Sequence, residues 1–195
     1  MSDDPYLIPG TETLRNRPGL TAADELSRLE ARMTIVRIAQ LETDASLVTG
    51  TWDLRHLQRF HHHIFQDVFE WAGKLRTVDM AKDGNVFCRP QFIESAAADI
   101  FRDLAGKRHL RDLPRTEFVA AAGELLSAVN SLHPFREGNG RTQRAFLSRM
   151  AAQAGWRIDW TLLDPERNIT ASVAAFRGDD RPMVELLNDL VTVAN

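Results

Sequence analysis

Apolar residues recur at intervals of three and four through almost all of this chain, and only one place reads as β-structure. That restricts the fold class to mainly α. Leu54, Leu57, Phe60, Ile64 and Phe65 make one buried stripe, in a helix opened by Asp53. Phe118, Ala122, Leu125, Val129 and Leu132 make a second after Pro114. Phe146, Leu147, Met150 and Ala151 make a third, in a helix over about 141–154 that Gly155 stops. An earlier helix is expected to turn Leu26, Leu29, Met33, Val36, Ile38 and Leu41 inward, with Thr21 as its N-cap and Asp24 completing a weak capping box. Further helices are expected over about 92–104, 163–176 and 181–193.

The β signal lies in 74–90, where Asp83-Gly84-Asn85 is a turn between the runs Leu75–Met80 and Val86–Cys88. The first 20 residues hold three prolines and two glycines and read as an arm without regular structure. Tyr6, Leu7, Ile8 and Leu14 give that arm something to pack with. No repeat or linker divides the 195 residues, so 1–195 is expected to be one domain.

A formal net charge of −3 gives no general attraction to nucleic acid or an anionic membrane, and neither is expected as a partner. Cys88 is the one cysteine, so an intrachain disulfide is excluded, and a reducing cytoplasm is the expected compartment. The acidic start lacks a signal-peptide core, and no apolar run reaches the roughly 20 residues of a membrane span. His61, His62 and His63 point about 100° apart on a helix and do not share an ion, so they read as packing or exposed residues. Trp52, Trp71, Trp156 and Trp160 read as packing, and Lys107, Arg108, His109 and Arg111 as a solvated turn.

The segment between the second and third stripes, His133-Pro-Phe-Arg-Glu-Gly-Asn-Gly-Arg-Thr-Gln-Arg144, carries chemistry. Gly138, Asn139 and Gly140 precede a helix, where backbone N–H groups converge on an anion. Arg141 and Arg144 share a face of its first turn, where cations oppose the helix dipole but suit an arriving polyphosphate. Glu137 is a carboxylate of the kind that holds Mg²⁺ beside phosphates. His133 is a candidate general base for a hydroxyl nucleophile. Phe135 anchors the loop in the core. Together these are the parts of a transfer from a nucleoside triphosphate.

The segment resembles the signature of Fic proteins, H-x-F-x-[D/E]-G-N-G-R-x-x-R, at every specified position. Phe65–Arg76 is similar to the family's stretch leading into a flap hairpin, and Pro5–Asn16 to the opening of stand-alone bacterial Fic toxins. The resemblance implies a helical bundle with the loop at its centre and a β-hairpin flap above it. It implies a protein adenylyltransferase that uses ATP and Mg²⁺. His133 is the implied base and Glu137 the implied metal ligand. Gly138, Asn139, Gly140, Arg141, Thr142, Gln143 and Arg144 form the implied nucleotide-binding segment, with Asn139 on phosphate and the two arginines on the β and γ phosphates. A flap tip of Lys82, Asp83, Gly84, Asn85, Val86 and Phe87 is implied to dock a target protein by strand addition.

Relatives are often held off by an inhibitory helix with the pattern [S/T]-x-x-x-E-[G/N]. Glu137 is the one Glu followed by Gly or Asn here, and His133 stands four residues before it, so the pattern is missing from the chain. The resemblance therefore implies a separate small antitoxin as partner, and type II topoisomerases (gyrase and topoisomerase IV) as the class of target. Doc-type relatives, which are kinases, carry Lys where this chain has Gly140, and that difference favours AMP transfer. Transfer of another nucleotide or of phosphocholine uses the same loop. An inactive binding module is the alternative of a different class, against which the intact motif argues.

Overall fold

A computed structural model of the chain describes residues 4–82 and 84–194. Helices α1 (Ala23–Thr43), α2 (Leu54–Phe65), α3 (Ile93–Gly106), α4 (Arg115–Leu132), α5 (Asn139–Gln153), α6 (Pro165–Phe176) and α7 (Arg181–Leu190) make most of it. Their apolar faces meet in one core, in which Leu57, Phe60, Ile64, Phe65, Phe118, Leu132, Phe135, Phe146 and Met150 are buried. Asp53 caps α2, its carboxylate accepting from the His56 N–H at 2.7 Å. None of the described helices is long and apolar enough to cross a membrane.

The first helix departs from its expected face and cap. It begins at Ala23, and its cap residue Ala22 makes no side-chain bond. Thr21 is instead tied to the N-terminal arm, its carbonyl accepting from the Thr13 hydroxyl at 2.7 Å. The buried positions of α1 are Leu26, Glu30, Thr34 and Leu41, while Met33 and Val36 are 36% and 57% exposed. A polar group drives this rotation, because Glu30 turns inward to form an ion pair with Arg141 of α5.

The hairpin is shorter than its sequence suggests. Strand β1 (Ala81–Lys82) pairs antiparallel with β2 (Asn85–Val86) in the register Ala81↔Val86 and Lys82↔Asn85. The run Leu75–Met80 forms no strand. Arg76 lies within that run, and its buried guanidinium reaches the carbonyls of Val78 and Cys88, so a side chain joins the two runs where a ladder was expected.

A second small sheet was not anticipated. Helix α7 stops at Leu190, short of the expected residue 193, and Val191-Thr192-Val193 becomes β4, antiparallel to β3 (Trp156–Ile158). β-branched residues favour the extended chain, and Gly155, at φ 83°, ends α5 and turns the chain into β3. Among the described residues the arm forms one isolated bridge, Leu7↔Leu14, and its buried Tyr6 meets Trp71 edge-on at 5.4 Å.

The turn after α3 is strained: Arg108, His109 and Leu110 sit at φ 52°, 55° and 61°, and Asp112 at 58°. Left-handed backbone costs an L-residue about 1–2 kcal/mol. A glycine removes that cost and gives up roughly 0.5–1 kcal/mol in chain entropy. The exposed Arg108–Asp112 pair, 3.6 Å apart, contributes little. Arg108→Gly is therefore expected to raise the unfolding free energy by roughly 0.5–1 kcal/mol. Urea unfolding checks this, and a loss of stability would contradict it.

Candidate active site

Helix α4 ends at His133, which takes the left-handed conformation at φ 44° and ψ 61° and turns the chain into the loop. Asn139 closes that loop. Its side-chain amide donates to the Phe135 carbonyl at 2.7 Å, and its side-chain oxygen accepts from the Phe135 N–H at 3.0 Å. Gly138 follows the loop at φ 79°, and a Cβ there would lie 2.1 Å from the Phe65 ring. The left-handed backbone and the filled space both demand glycine. Gly138→Ala is expected to cost roughly 2–5 kcal/mol, read as a fall in the urea midpoint; an unchanged midpoint would mean that the ring moves aside freely.

Helix α5 starts without a side-chain cap, so its first N–H groups are left for a ligand. The Gly138 N–H donates to Glu137 Oε1 at 2.8 Å. Arg141 reaches the same oxygen at 3.4 Å, pairs with Glu30, donates to the Thr34 hydroxyl at 3.2 Å and stacks on Phe65 with its Cζ 4.8 Å from the ring centroid. Burial raises the Glu30 pKa, and Arg141 opposes that rise. Arg144 is different: among the described residues it has no hydrogen-bond or ion-pair partner, and it lines a cavity of about 690 Å³ with Ile38, Arg141, Ser148 and Trp160. Burial, and then the neighbouring Arg141, lower its pKa.

Thr142 and Gln143 face the core. The Thr142 hydroxyl donates to the Gly138 carbonyl at 3.0 Å, and the Gln143 amide to the Val129 carbonyl at 3.3 Å. Their side chains serve the packing of α5, and the segment offers a ligand its backbone and its arginines.

The His133 ring is pressed against Phe87 of the flap, with centroids 3.8 Å apart and planes 20° apart. Burial pushes its pKa down to about 4, the nearby Arg76 and Lys82 charges acting in the same direction, so the imidazole is neutral near pH 7. Its Nδ1 lies 3.3 Å from the Asn130 carbonyl, which places the proton on Nδ1 and leaves Nε2 with its lone pair. Of the flap tip, Phe87 alone is buried, Lys82, Gly84 and Val86 are exposed and Asn85 is half-buried, and Asp83 lies outside the described residues.

Three supports of the loop were not legible as such. His61, expected to be a packing or exposed residue, is fully buried and accepts from the Gly73 N–H through Nδ1 at 2.8 Å. The ring's proton is thereby on Nε2, which donates to the Glu137 carbonyl at 3.0 Å. Phe135 stacks on the ring at 3.9 Å. Arg136 is held to the arm by Asp4, its Nη2 2.9 Å from the carboxylate. Glu30, four residues after Leu26 on the inward face, is the third. In His61 and Glu30 a titratable side chain sits at a position that helical spacing marks as inward, whereas Arg136 stands in the loop between α4 and α5, where no periodicity marks it.

A helical bundle with an anion nest at the start of its central helix, a neutral histidine beside the nest and a hairpin above it defines a phosphate-handling transferase fold. Residues 51–151 match the Fic/DOC family, and the chain belongs to it. It is 38% identical over 191 residues to protein adenylyltransferase VbhT of Bartonella schoenbuchensis, covering 98% of this chain and 40% of that one. The chain thus spans well under half of VbhT. It is 37% identical to the probable protein adenylyltransferase y4lH of Sinorhizobium fredii, covering 97% of this chain and 96% of that one. Among solved structures, the N-terminal Fic domain of a Bartonella quintana Bep effector with bound ADP superposes with a TM-score of 0.89 at 28% identity, covering 98% and 96% of the two chains. BepC of Bartonella tribocorum with bound AMPPNP gives 0.89 at 25% identity, covering 98% of each.

Proposed function

We propose that the chain is a protein adenylyltransferase that moves AMP from ATP to a hydroxyl side chain of a target protein. The observation that carries this reading is the neutral His133 at the end of α4, on the loop that leads into the nest, with its proton on Nδ1 and the Nε2 lone pair left to take another. In the reaction the target hydroxyl oxygen bonds to the α-phosphorus, the bond from that phosphorus to the bridging oxygen breaks, and pyrophosphate leaves. The hydroxyl proton passes to His133 Nε2. The N–H groups at the start of α5 and the unpaired Arg144 hold the triphosphate.

The donor set fits Mg²⁺. Glu137 is a single half-exposed carboxylate, and no group of three or more metal-binding side chains exists among the described residues. A magnesium ion takes such a lone carboxylate together with phosphate oxygens and water, and supplies neutralising charge. The proposed metal ligand is thus Glu137.

Gly140 favours AMP transfer over γ-phosphate transfer. A Cβ there would lie 3.2 Å from Arg144 Nη1, so a lysine at this place, as in Doc-type kinases, would crowd the arginine that faces the cavity. ATP labelled at the α or the γ phosphate, incubated with protein, Mg²⁺ and a bacterial lysate, tests the reading. Protein-bound α label alone is the expected result, and γ label alone would make the chain a kinase.

The same reading extends to partners. The exposed edge of the β1–β2 hairpin suits a target segment added as a strand, with Lys82, Gly84, Asn85 and Val86 alongside it. A separate antitoxin would place a glutamate on Arg144 through the cavity between α1, α5 and β3, whose lining also holds Arg149, Arg157, Glu42 and Asp159. Its partner chain would then be a cytoplasmic toxin acting on gyrase or topoisomerase IV. Expression is expected to arrest growth and relax chromosomal supercoiling; arrest with unaltered supercoiling would point to a different target.

A further inference from the structure

Arg76 is 2% exposed, and its hydrogen bonds go to carbonyl oxygens rather than to a carboxylate. Nε donates to the His133 carbonyl at 2.7 Å and Nη1 to the Val78 carbonyl at 2.7 Å. Nη2 donates to the Cys88 carbonyl and, at 3.5 Å, to that of Leu132. The Arg76 backbone N–H donates to the Pro134 carbonyl at 2.9 Å. Taking a guanidinium out of water costs several kcal/mol unless its donors are met, so the place of these acceptors matters. Two flank the strained turn at His133, one lies on the chain entering the flap and one on the chain leaving it. The Cys88 N–H reinforces the junction by donating to the Ser131 carbonyl at 3.1 Å.

We propose that Arg76 is a positioning residue that locks the left-handed backbone of His133 to both roots of the flap, so that a target strand paired with the flap arrives with its hydroxyl at the imidazole. The proposal rests on the reading of His133 as base and of the flap as target dock. A planar fork donates in several fixed directions at once, whereas a lysine ammonium is a compact point with flexible reach. The phosphate nest is held independently, by Asn139 on Phe135 and His61 on Glu137. Loss of the fork is therefore expected to disturb transfer and leave nucleotide binding in place.

The test compares Arg76→Gln and Arg76→Lys with the wild-type chain in amide hydrogen exchange, AMPPNP–Mg²⁺ affinity and transfer of α label to lysate proteins. Transfer is expected to fall about 100-fold in both variants, as misplacement of a reacting group by an ångström does. AMPPNP affinity is expected to stay within about threefold. Exchange at Phe87 and Cys88 is expected to rise about tenfold while Thr142, whose N–H donates to the Gly138 carbonyl at the start of α5, is unchanged. Transfer by Arg76→Lys near the wild-type rate would overturn the proposal. So would equal acceleration of exchange at Thr142 and Cys88, which would mark Arg76 as a general stabiliser. Should neither variant fold, the wild-type Arg76 Nε–H must be protected from exchange, and rapid exchange there rejects the proposal. If the wild type transfers no α label, the adenylyltransferase reading fails, and the exchange pattern still decides the role of Arg76.

Discussion

His133→Ala is expected to lower transfer of α label by about 10³-fold, within the range that a positioned general base supplies. Nucleotide affinity is expected to be retained, because the nest does not use the imidazole: Glu137 and Gly138 are fixed by His61 and by one another, and Arg144 faces the cavity from the next turn of α5. The pH dependence has a defined sense. A base with a pKa near 4 is ready throughout the neutral range, so activity is expected to be flat from pH 6 to 8 in respect of this group and to fail on the acid side as pH approaches 4. A single-turnover measurement with AMPPNP affinity beside it separates the two effects. Equal losses of binding and transfer in His133→Ala would mean that the histidine shapes the nest and takes no proton.

The second large effect is on stability and concerns His61. Burial pushes its pKa from 6.5 to about 3, against the opposing pull of the Glu137 carbonyl and with Arg141 and His62 adding to the depression. Folding therefore favours the neutral ring. The contribution is complete above pH 6.5, where the unfolded chain is also neutral, and is lost as pH falls from 6.5 toward 3. The difference, 6.5 − 3 or 3.5 units at about 1.4 kcal/mol each, is on the order of 5 kcal/mol. That is comparable with the whole stability of a domain, so unfolding is expected before His61 is fully charged. His133, His56 and His63 are depressed in the same sense and steepen the decline. Urea unfolding at a series of pH values is expected to show stability dropping steadily from pH 7 to 4. His61→Phe keeps an aromatic plane against Phe135 and removes the titration. It is expected to be less stable at pH 7, with the Gly73 N–H and Glu137 carbonyl unpartnered, and to lose stability with acid more gently by about one proton. An unchanged slope would show that His61 does not couple to folding.

What could be read from the sequence follows from which forces are local. The stripes on α2, α4 and α5 are periodic and their caps short-range, so Asp53, Phe118, Met150 and Gly155 stand where spacing put them. The motif from His133 to Arg144 is contiguous, and its nest is a property of consecutive residues at the start of one helix. The structure departs from the local pattern where a distant partner decides. Apolar character points Met33 and Val36 to the inside of α1, yet Glu30 occupies that side because Arg141 is there to receive it. The pattern of the hairpin's first run predicts a strand, yet Arg76 turns inward to carbonyls from other segments. Residues 191–193 continue a helical pattern, and they form β4 because β3, more than 30 residues earlier in the chain, is there to pair with them.

Among the described residues the hairpin has two ladder positions per strand. An added strand meeting so short a ladder is recognised mainly through its main chain, which every protein shares. Selectivity among clients would then have to come from surfaces outside the catalytic centre. The chemistry is pinned by Arg76, His61 and Asn139 through backbone carbonyls, which substitutions at the surface do not remove. On the proposed function, a lineage built on this plan would exchange its targets by altering loops and appended domains while the site itself stays fixed.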